Sequence, residues 1–309
     1  MNQISKHPLY RIHSLDSVMN SLWEFYKKKF LMLFIISLVM SLIIQYAATL
    51  INFRELQSIT DPQEILLKLR EYIWPMILIT VLNLLFLTIL HYYVIFNPLD
   101  SENNIIHSTV KSLRYFIPYL IIMILLAFFG SIALFLGLLV LIIGVFFAAL
   151  YIMTIYLFIL PVMMVEGPSI ANTISRTMAL THKNFWQSMG WTAVLVLILL
   201  VISVVLSGLI LLPFTGSFMK VFANPQDPTV LLDVASNPVY IILTSIVNAL
   251  VFPLLPVFAC ILYFNGCARE NQASLENDSS EKDTIEKVKV EDLYARPRQE
   301  DHSDEPENK

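Results

Sequence analysis

Residues 115–165 read YFIPYLIIMILLAFFGSIALFLGLLVLIIGVFFAALYIMTIYLFILPVMMV. These 51 residues, bounded by Arg114 and Glu166, contain no Asp, Glu, Lys or Arg. A helix crossing the roughly 30 Å hydrocarbon core of a bilayer needs only about 20 apolar residues. The run therefore holds two spans joined by almost nothing, with Gly137 as the place for the turn. It ends at Leu160-Pro161-Val162-Met163-Met164-Val165-Glu166-Gly167-Pro168-Ser169 and then changes character. Ile170, Ile174, Met178 and Phe185 recur at helical spacing, with Arg176 and Lys183 on the opposite face. Trp186 opens the next span. At the stop, Gly167 reads as a helix cap, Pro168 as the first helical position and Glu166 as an acid favoured by the helix dipole. The alternative makes Glu166 a ligand, or a partner for Arg176.

Composition agrees with a membrane protein. The chain is 57% hydrophobic and 14% charged, with mean hydropathy +0.68, whereas soluble chains average about 45–50% apolar and about 25% charged. The net charge of −4 comes from one end. Residues 266–309 carry 7 Lys/Arg against 13 Asp/Glu, and residues 1–265 carry 13 against 11. No basic surplus suits nucleic acid. Cys260 and Cys267 match no zinc or redox spacing and read as packing residues.

Working outward, six spans emerge at about 30–51, 72–96, 116–136, 139–164, 186–212 and 239–264. Lys27-Lys28-Lys29 precedes the first, but its run of 22 residues exceeds the roughly 7–15 of a signal core, so it reads as a retained anchor. Ahead of it Leu15, Met19, Leu22 and Tyr26 share a helical face opposite Ser17, Ser21, Glu24 and Lys28. Ser14 caps this helix and Asp16 suits its first turn. Asn52 to Glu71 reads as a polar loop with a short helix after Asp61-Pro62. The second span carries Tyr72 and Trp74 at one end and Tyr92, Tyr93 and Phe96 at the other, as aromatic belts do. A further amphipathic segment, Asn103 to Ile117, sets Ile105, Ile106, Leu113 and Phe116 against Asn104, Lys111 and Arg114. The sixth span contains Pro253 and Pro256, which remove backbone hydrogen bonds and kink it. After Gly266 the acidic tail is too polar to fold alone and reads as disordered.

Lys and Arg divide 16 to 4 between alternate sides of the spans, placing both termini in the cytoplasm of a plasma (inner) membrane protein. Each cytoplasmic amphipathic segment meets its span in one form: Lys28-Lys29-Phe30, Arg114-Tyr115-Phe116 and Lys183-Asn184-Phe185. An apolar anchor stands eleven residues before each Phe: Met19, Ile105 and Ile174. The pattern is that of three repeats of amphipathic helix plus hairpin. The alternative is that any helix leaving the cytoplasm takes this form, with a cation at the headgroups and an aromatic below it.

The six histidines (His7, His13, His91, His107, His182, His302) show no metal spacing, and no nucleotide loop, nucleophile elbow or cofactor motif occurs. Gln45, Asn83, Thr88, His91, Tyr92, Thr154, Tyr156 and Asn248 are the polar residues singled out within spans. His91 reads as a packing residue and the two asparagines as interhelical bonds rather than ligands. Lys28, Lys111, Arg114, Arg176 and Lys183 are the candidate contacts to anionic lipid headgroups.

On Pro161, Glu166, Ser169, Arg176, Lys183, Phe185 and Trp186, the stretch Leu160–Trp186 resembles the membrane domain of glycerophosphoryl diester phosphodiesterases and related uncharacterised prokaryotic multi-pass membrane proteins. Within this stretch Pro161, Glu166, Gly167, Pro168, Phe185 and Trp186 form a candidate structural motif. The likeness extends over about residues 15–265 and implies a six-helix domain, fused in some members to a catalytic barrel. Only 45 residues follow the last span, while such a barrel takes about 250. The expectation is an all-α integral membrane protein with three interfacial amphipathic helices and no cofactor. It organises lipids or an unidentified membrane-protein partner without catalysis. The alternatives are a transporter or permease component, with the proline-bearing sixth span as moving part, and an intramembrane lipid enzyme.

Overall fold

The computed structural model describes residues 4–51, 61–100, 105–217, 219 and 229–293. They belong to two compact units, Met1–Gly266 and Cys267–Lys309, and contain no strand. The helices are α1 (Leu15–Ala48), α2 (Pro62–Phe96), α3 (Ile105–Leu139), α4 (Leu141–Glu166), α5 (Ile170–Lys183), α6 (Phe185–Leu211), α7 (Thr229–Ala235), α8 (Pro238–Val251) and α9 (Leu254–Leu293). Six stretches are long and apolar enough to cross a membrane: Leu15–Ala48, Gln63–Phe96, Ile106–Leu139, Leu141–Glu166, Phe185–Ser217 and Pro238–Glu276.

Helix starts follow local chemistry. Ser14 caps α1 in a reciprocal box with Ser17, and Asp61 caps α2, its Oδ1 accepting from Gln63 N–H at 2.9 Å. From Pro62 that helix runs unbroken to Phe96, so the expected short helix and the second span are one element. The amphipathic leads of the first and third spans are likewise continuous with them in α1 and α3. Nothing at Lys29 or Tyr115 interrupts the backbone ladder. Only α5 stands apart, because Asn184 (φ −126°, ψ 45°) leaves the helical region before α6.

The α3–α4 turn falls at Val140 and Leu141, three residues beyond the expected glycine. Val140 N–H bonds back to the Gly137 carbonyl at 3.0 Å, and Leu141 takes φ +64°. Gly137 serves another purpose. A Cβ there would lie 2.8 Å from the Gly144 carbonyl oxygen, and one on Gly144 would collide with the Gly137 carbonyl. The two glycines let adjoining helices touch backbone to backbone.

The exit of the fourth span also corrects the sequence reading. Pro161 lies inside α4, which continues to Glu166. Gly167 ends it at φ +114°, a conformation that favours glycine. Ser169, not Gly167, is the N-cap of α5, so Pro168 sits before the cap and Glu166 lies at a helix C-terminus. The sixth span breaks between α8 and α9 at Phe252 and Pro253, since Pro253 has no N–H for the Ala249 carbonyl. Pro256 is tolerated in the first turn of α9, where backbone donors have no helical partner.

Within the first unit α1 packs on α8 and α2, α2 on α3 and α4, α3 on α4, and α6 on α4 and α8. Two stretches are buried on every side: Leu157–Met164 of α4 and Val257–Phe264 of α9. A helix without a polar face belongs at a centre, and Val257–Phe264 is at most 2% exposed at every residue. In contrast, Leu138–Ile143 at the α3–α4 turn are 60–86% exposed, and α6 turns out Leu197, Leu200, Val201, Val204 and Val205. In the second unit α9 stays helical to Leu293, past Gly266 where the sequence reading begins a disordered tail. Extending an existing helix avoids the cost of nucleation, and Gln272 Nε2 donates to Glu276 Oε1 at 2.8 Å along it. Residues 294–309 lie outside the described residues.

Candidate functional site

Prolines decide the chemistry of one end of the first unit. A proline at i+4 leaves the carbonyl of residue i without its helical donor, and a buried carbonyl needs another. Pro98 orphans the Val94 carbonyl in this way, and Pro168 that of Met164. His7 Nε2 lies 3.3 Å from the Val94 oxygen. The other ring nitrogen, Nδ1, accepts from Leu9 N–H at 3.2 Å, so the proton is on Nε2 and His7 is the donor. Tyr115, 1% exposed, donates its hydroxyl to the Met164 carbonyl at 3.3 Å. At the α8–α9 break Tyr26 does the same for Leu250 at 2.9 Å.

These bonds, with the contacts of Phe264, Asn265 and Glu166, bring together the start of the chain, the end of α2, the start of α3, the end of α4, α5 and the first third of α9. His7 lies against Phe264, ring centroids 4.6 Å apart. Asn265 Oδ1 accepts from His13 N–H at 2.9 Å. The polar lead is thus a docked segment rather than a free arm, which sequence reasoning missed. The signal was present in the X-Pro position four residues after Val94, but nothing local says which side chain answers it. Burial holds the His7 imidazole well below its ordinary value, at about 4, and lowers that of His13. Both are kept neutral by desolvation.

Glu166 is the second feature of this end. An acid at a helix C-terminus meets the wrong end of the dipole, and two donors offset this. Arg176 Nε donates to its Oε1 at 2.9 Å, and the Tyr263 hydroxyl to the same oxygen at 3.0 Å. Glu166 therefore ties α4 to α5 and α9, as the partner of Arg176 rather than as an N-terminal acid.

The five candidate cations are placed differently. Arg176 is engaged as described. The Arg114 guanidinium lies over the Tyr115 ring at 4.5 Å and donates to its hydroxyl. Lys111 and Lys183 are exposed. Lys28 is exposed in a cleft of about 610 Å³, shared with Arg11, Ser21, Glu24, Lys29 and Asn97. Phe185 is half-buried against Tyr151, centroids 5.9 Å apart, while Trp186 is 74% exposed. Tyr151 and His182 pair at 3.1 Å.

The leads of α3 and α5 bury an unexpected face, while that of α1 buries part of its apolar one. In α5 it is Thr173, Thr177, Leu180 and Thr181, and in α3 Ser108, Ser112, Tyr115 and Tyr119. Ile106 and Leu113 are exposed instead, at 79% and 48%. In α1 the buried residues are Val18, Ser21, Leu22, Phe25 and Tyr26, while Leu15 is 42% exposed. The side chain of Ile105 lies outside the described residues. Positions eight and four before each Phe are buried in all three: Leu22 and Tyr26, Ser108 and Ser112, Thr177 and Thr181.

Farther along the spans a cavity of about 330 Å³ is lined by Met40, Leu87, Leu90, Met153, Phe252 and their neighbours, with Ser37, Asn83 and Tyr156 as its polar members. His91 is buried and its Nδ1–H donates to the Leu87 carbonyl of its own helix at 2.9 Å. Among the described residues no group of three His, Cys, Asp or Glu is placed to hold a metal ion. A comparison with family models, curated proteins and solved structures matches none of them.

Proposed function

We propose that the chain is a multi-pass integral membrane protein, six spans with both ends in the cytoplasm, that organises anionic lipid at its cytoplasmic face without catalysis. The supporting observation is that Lys29, Arg114 and Arg176 are gathered at one end of the first unit by their contacts with Asn97, Tyr115 and Glu166, while the remaining lengths of α3, α4 and α6 expose apolar side chains. An exposed apolar surface of that extent suits lipid. Exposed Trp186 at the foot of α6, and Lys111 and Lys183 beside the adjoining helix starts, suit headgroup level.

The three amphipathic leads then lie at the interface, those of α3 and α5 with a hydroxyl-bearing face against the protein and that of α1 with Val18, Leu22, Phe25 and Tyr26 against it. Small and hydroxyl-bearing residues let helices approach closely in lipid. The shared burial at positions eight and four before Phe30, Phe116 and Phe185 supports three repeats. The family resemblance at Leu160–Trp186 belongs to the same proposal, in the altered form that Glu166, Arg176 and Tyr263 make one tie.

Each exposed cation gains on the order of 1 kcal/mol from an anionic leaflet. Purified in native nanodiscs, the protein should hold more anionic lipid than the surrounding membrane. Lys111→Gln with Lys183→Gln should reduce the excess, most visibly in low salt. Lipid of bulk composition around the parent protein would overturn the proposal.

A second reading has one observation in its favour. Phe252, at the break in the sixth span, lines the 330 Å³ cavity with Leu255, and broken spans form transport sites. The mostly apolar lining suits an apolar or amphipathic cargo. Uptake of such a compound, lost on Phe252→Trp, is its test.

A further inference from the structure

The cleft beside Lys28 belongs neither to the stitched carbonyls nor to the Glu166 tie. One wall is the docked lead, Pro8, Leu9 and Arg11; the other is α1, with Ser21, Glu24, Phe25, Lys28 and Lys29; Asn97 and Pro98 close it. Arg11 stands between His7 and His13, so its backbone is fixed at both sides by the bonds to Val94 and Asn265. Its guanidinium donates to the Ser21 hydroxyl at 2.5 Å. Lys29 Nζ donates to Asn97 Oδ1 at 2.8 Å. Both acceptors are neutral, so each cation is held in position by a bond that leaves its charge in place. Lys28 adds a third charge and Glu24 removes one, leaving a formal excess of two positive charges in a cleft of about 610 Å³.

We propose that this cleft binds a phosphate group, with Arg11, Lys28 and Lys29 as its ligands and Pro8, Leu9 and Phe25 against the less polar part of the molecule that carries it. A guanidinium presents several donors in a fixed fork that matches phosphate oxygens, and an ammonium adds a point charge. Preorganised donors lose little entropy when the anion arrives. The site rests on the proposed membrane reading for its depth. Lys29 immediately precedes Phe30, where the first span enters hydrocarbon, which sets the cleft at the level of lipid phosphates. Two sources share the chemistry: a lipid headgroup reached from the bilayer, or free phosphate from the aqueous side.

The test uses the full chain. In nanodiscs of phosphatidylglycerol and phosphatidylcholine, lipid retained through purification is counted by mass spectrometry. In neutral detergent, inorganic phosphate is titrated by calorimetry. Lys28→Gln should weaken binding about fivefold and Lys28→Arg should retain it. Glu24→Gln should tighten it by a similar factor, a gain that loss of structure cannot imitate. Retention changed only in the nanodisc arm assigns a lipid phosphate, and a response in the detergent arm assigns free phosphate; either supports the site. No change with Lys28→Gln and Glu24→Gln in both arms overturns it, whatever Lys111→Gln with Lys183→Gln does. Should that pair lose anionic lipid while the cleft variants do not, the cleft fails and the broader proposal stands. The reverse pattern keeps the cleft and removes the exposed belt.

Discussion

At the scale of the residue, the first unit is held at one end by ring and hydroxyl donors that complete broken helix ladders. Removing the Tyr115 hydroxyl leaves the Met164 carbonyl buried without its donor, a defect of about 1–3 kcal/mol. Tyr115→Phe should lower the melting temperature in detergent, while Tyr46→Phe, on a side chain 76% exposed, should not. His7 adds a pH dependence whose sign follows from its lowered value of about 4. Above pH 6.5 the imidazole is neutral whether docked or free, and docking is at full strength. As pH falls from 6.5 towards 4 the free segment takes up a proton that the docked one refuses, so docking weakens by up to about 3 kcal/mol. The groups facing His7 are Phe25, Phe264 and the Val94 carbonyl, none of which offers a compensating charge. His13 shifts in the same direction. Hydrogen exchange at Leu9 and Tyr10, corrected for intrinsic rates, should accelerate over this range in the parent protein and lose most of that change in His7→Gln. Protection independent of pH in the parent would contradict the assignment.

At the scale of the element, glycines separate by what surrounds them. Gly144→Ala drives a methyl into the Gly137 backbone and should destabilise the α3–α4 hairpin by about 1–3 kcal/mol. A Cβ on Gly190 of α6 meets nothing within 4 Å, so Gly190→Ala should be neutral or raise stability by up to about 1 kcal/mol. The Thr154–Thr192 bond between α4 and α6, 3.2 Å long, should contribute only about 0.6 kcal/mol in a double-mutant cycle. The six long apolar helices were legible because 20 apolar residues are a strong signal, as were the Ser14 cap and the proline break at Phe252. The details at Gly137, Pro161 and Pro168 were not. A glycine in an apolar run serves a turn or a close helix approach equally well, and only the neighbouring backbone decides. The buried threonines of α5 were illegible for a related reason: on the proposed membrane reading, the apolar face of a helix no longer marks its protein side.

At the scale of the whole first unit, helix ends from distant parts of the sequence share one place: His7 with Val94 and Phe264, Tyr115 with Met164, Glu166 with Tyr263. These contacts put the ends that the Lys/Arg count assigns to the cytoplasm on the same end of the bundle, whichever side of a membrane that end faces. What sequence alone could not yield was the partner of each end, since every such bond joins residues tens to hundreds of positions apart. The most direct measurement of the central claim is therefore sidedness. In a background of Cys260→Ala and Cys267→Ala, single cysteines replace Ser58, which falls in sequence between the first two apolar stretches, and Ser175, on the exposed side of α5. Intact cells are treated with an impermeant thiol reagent. The account requires labelling of Ser58→Cys, and protection of Ser175→Cys until the membrane is opened. Labelling at Ser175→Cys in intact cells, with Ser58→Cys protected, would reverse the orientation and contradict a cytoplasmic lipid-binding face.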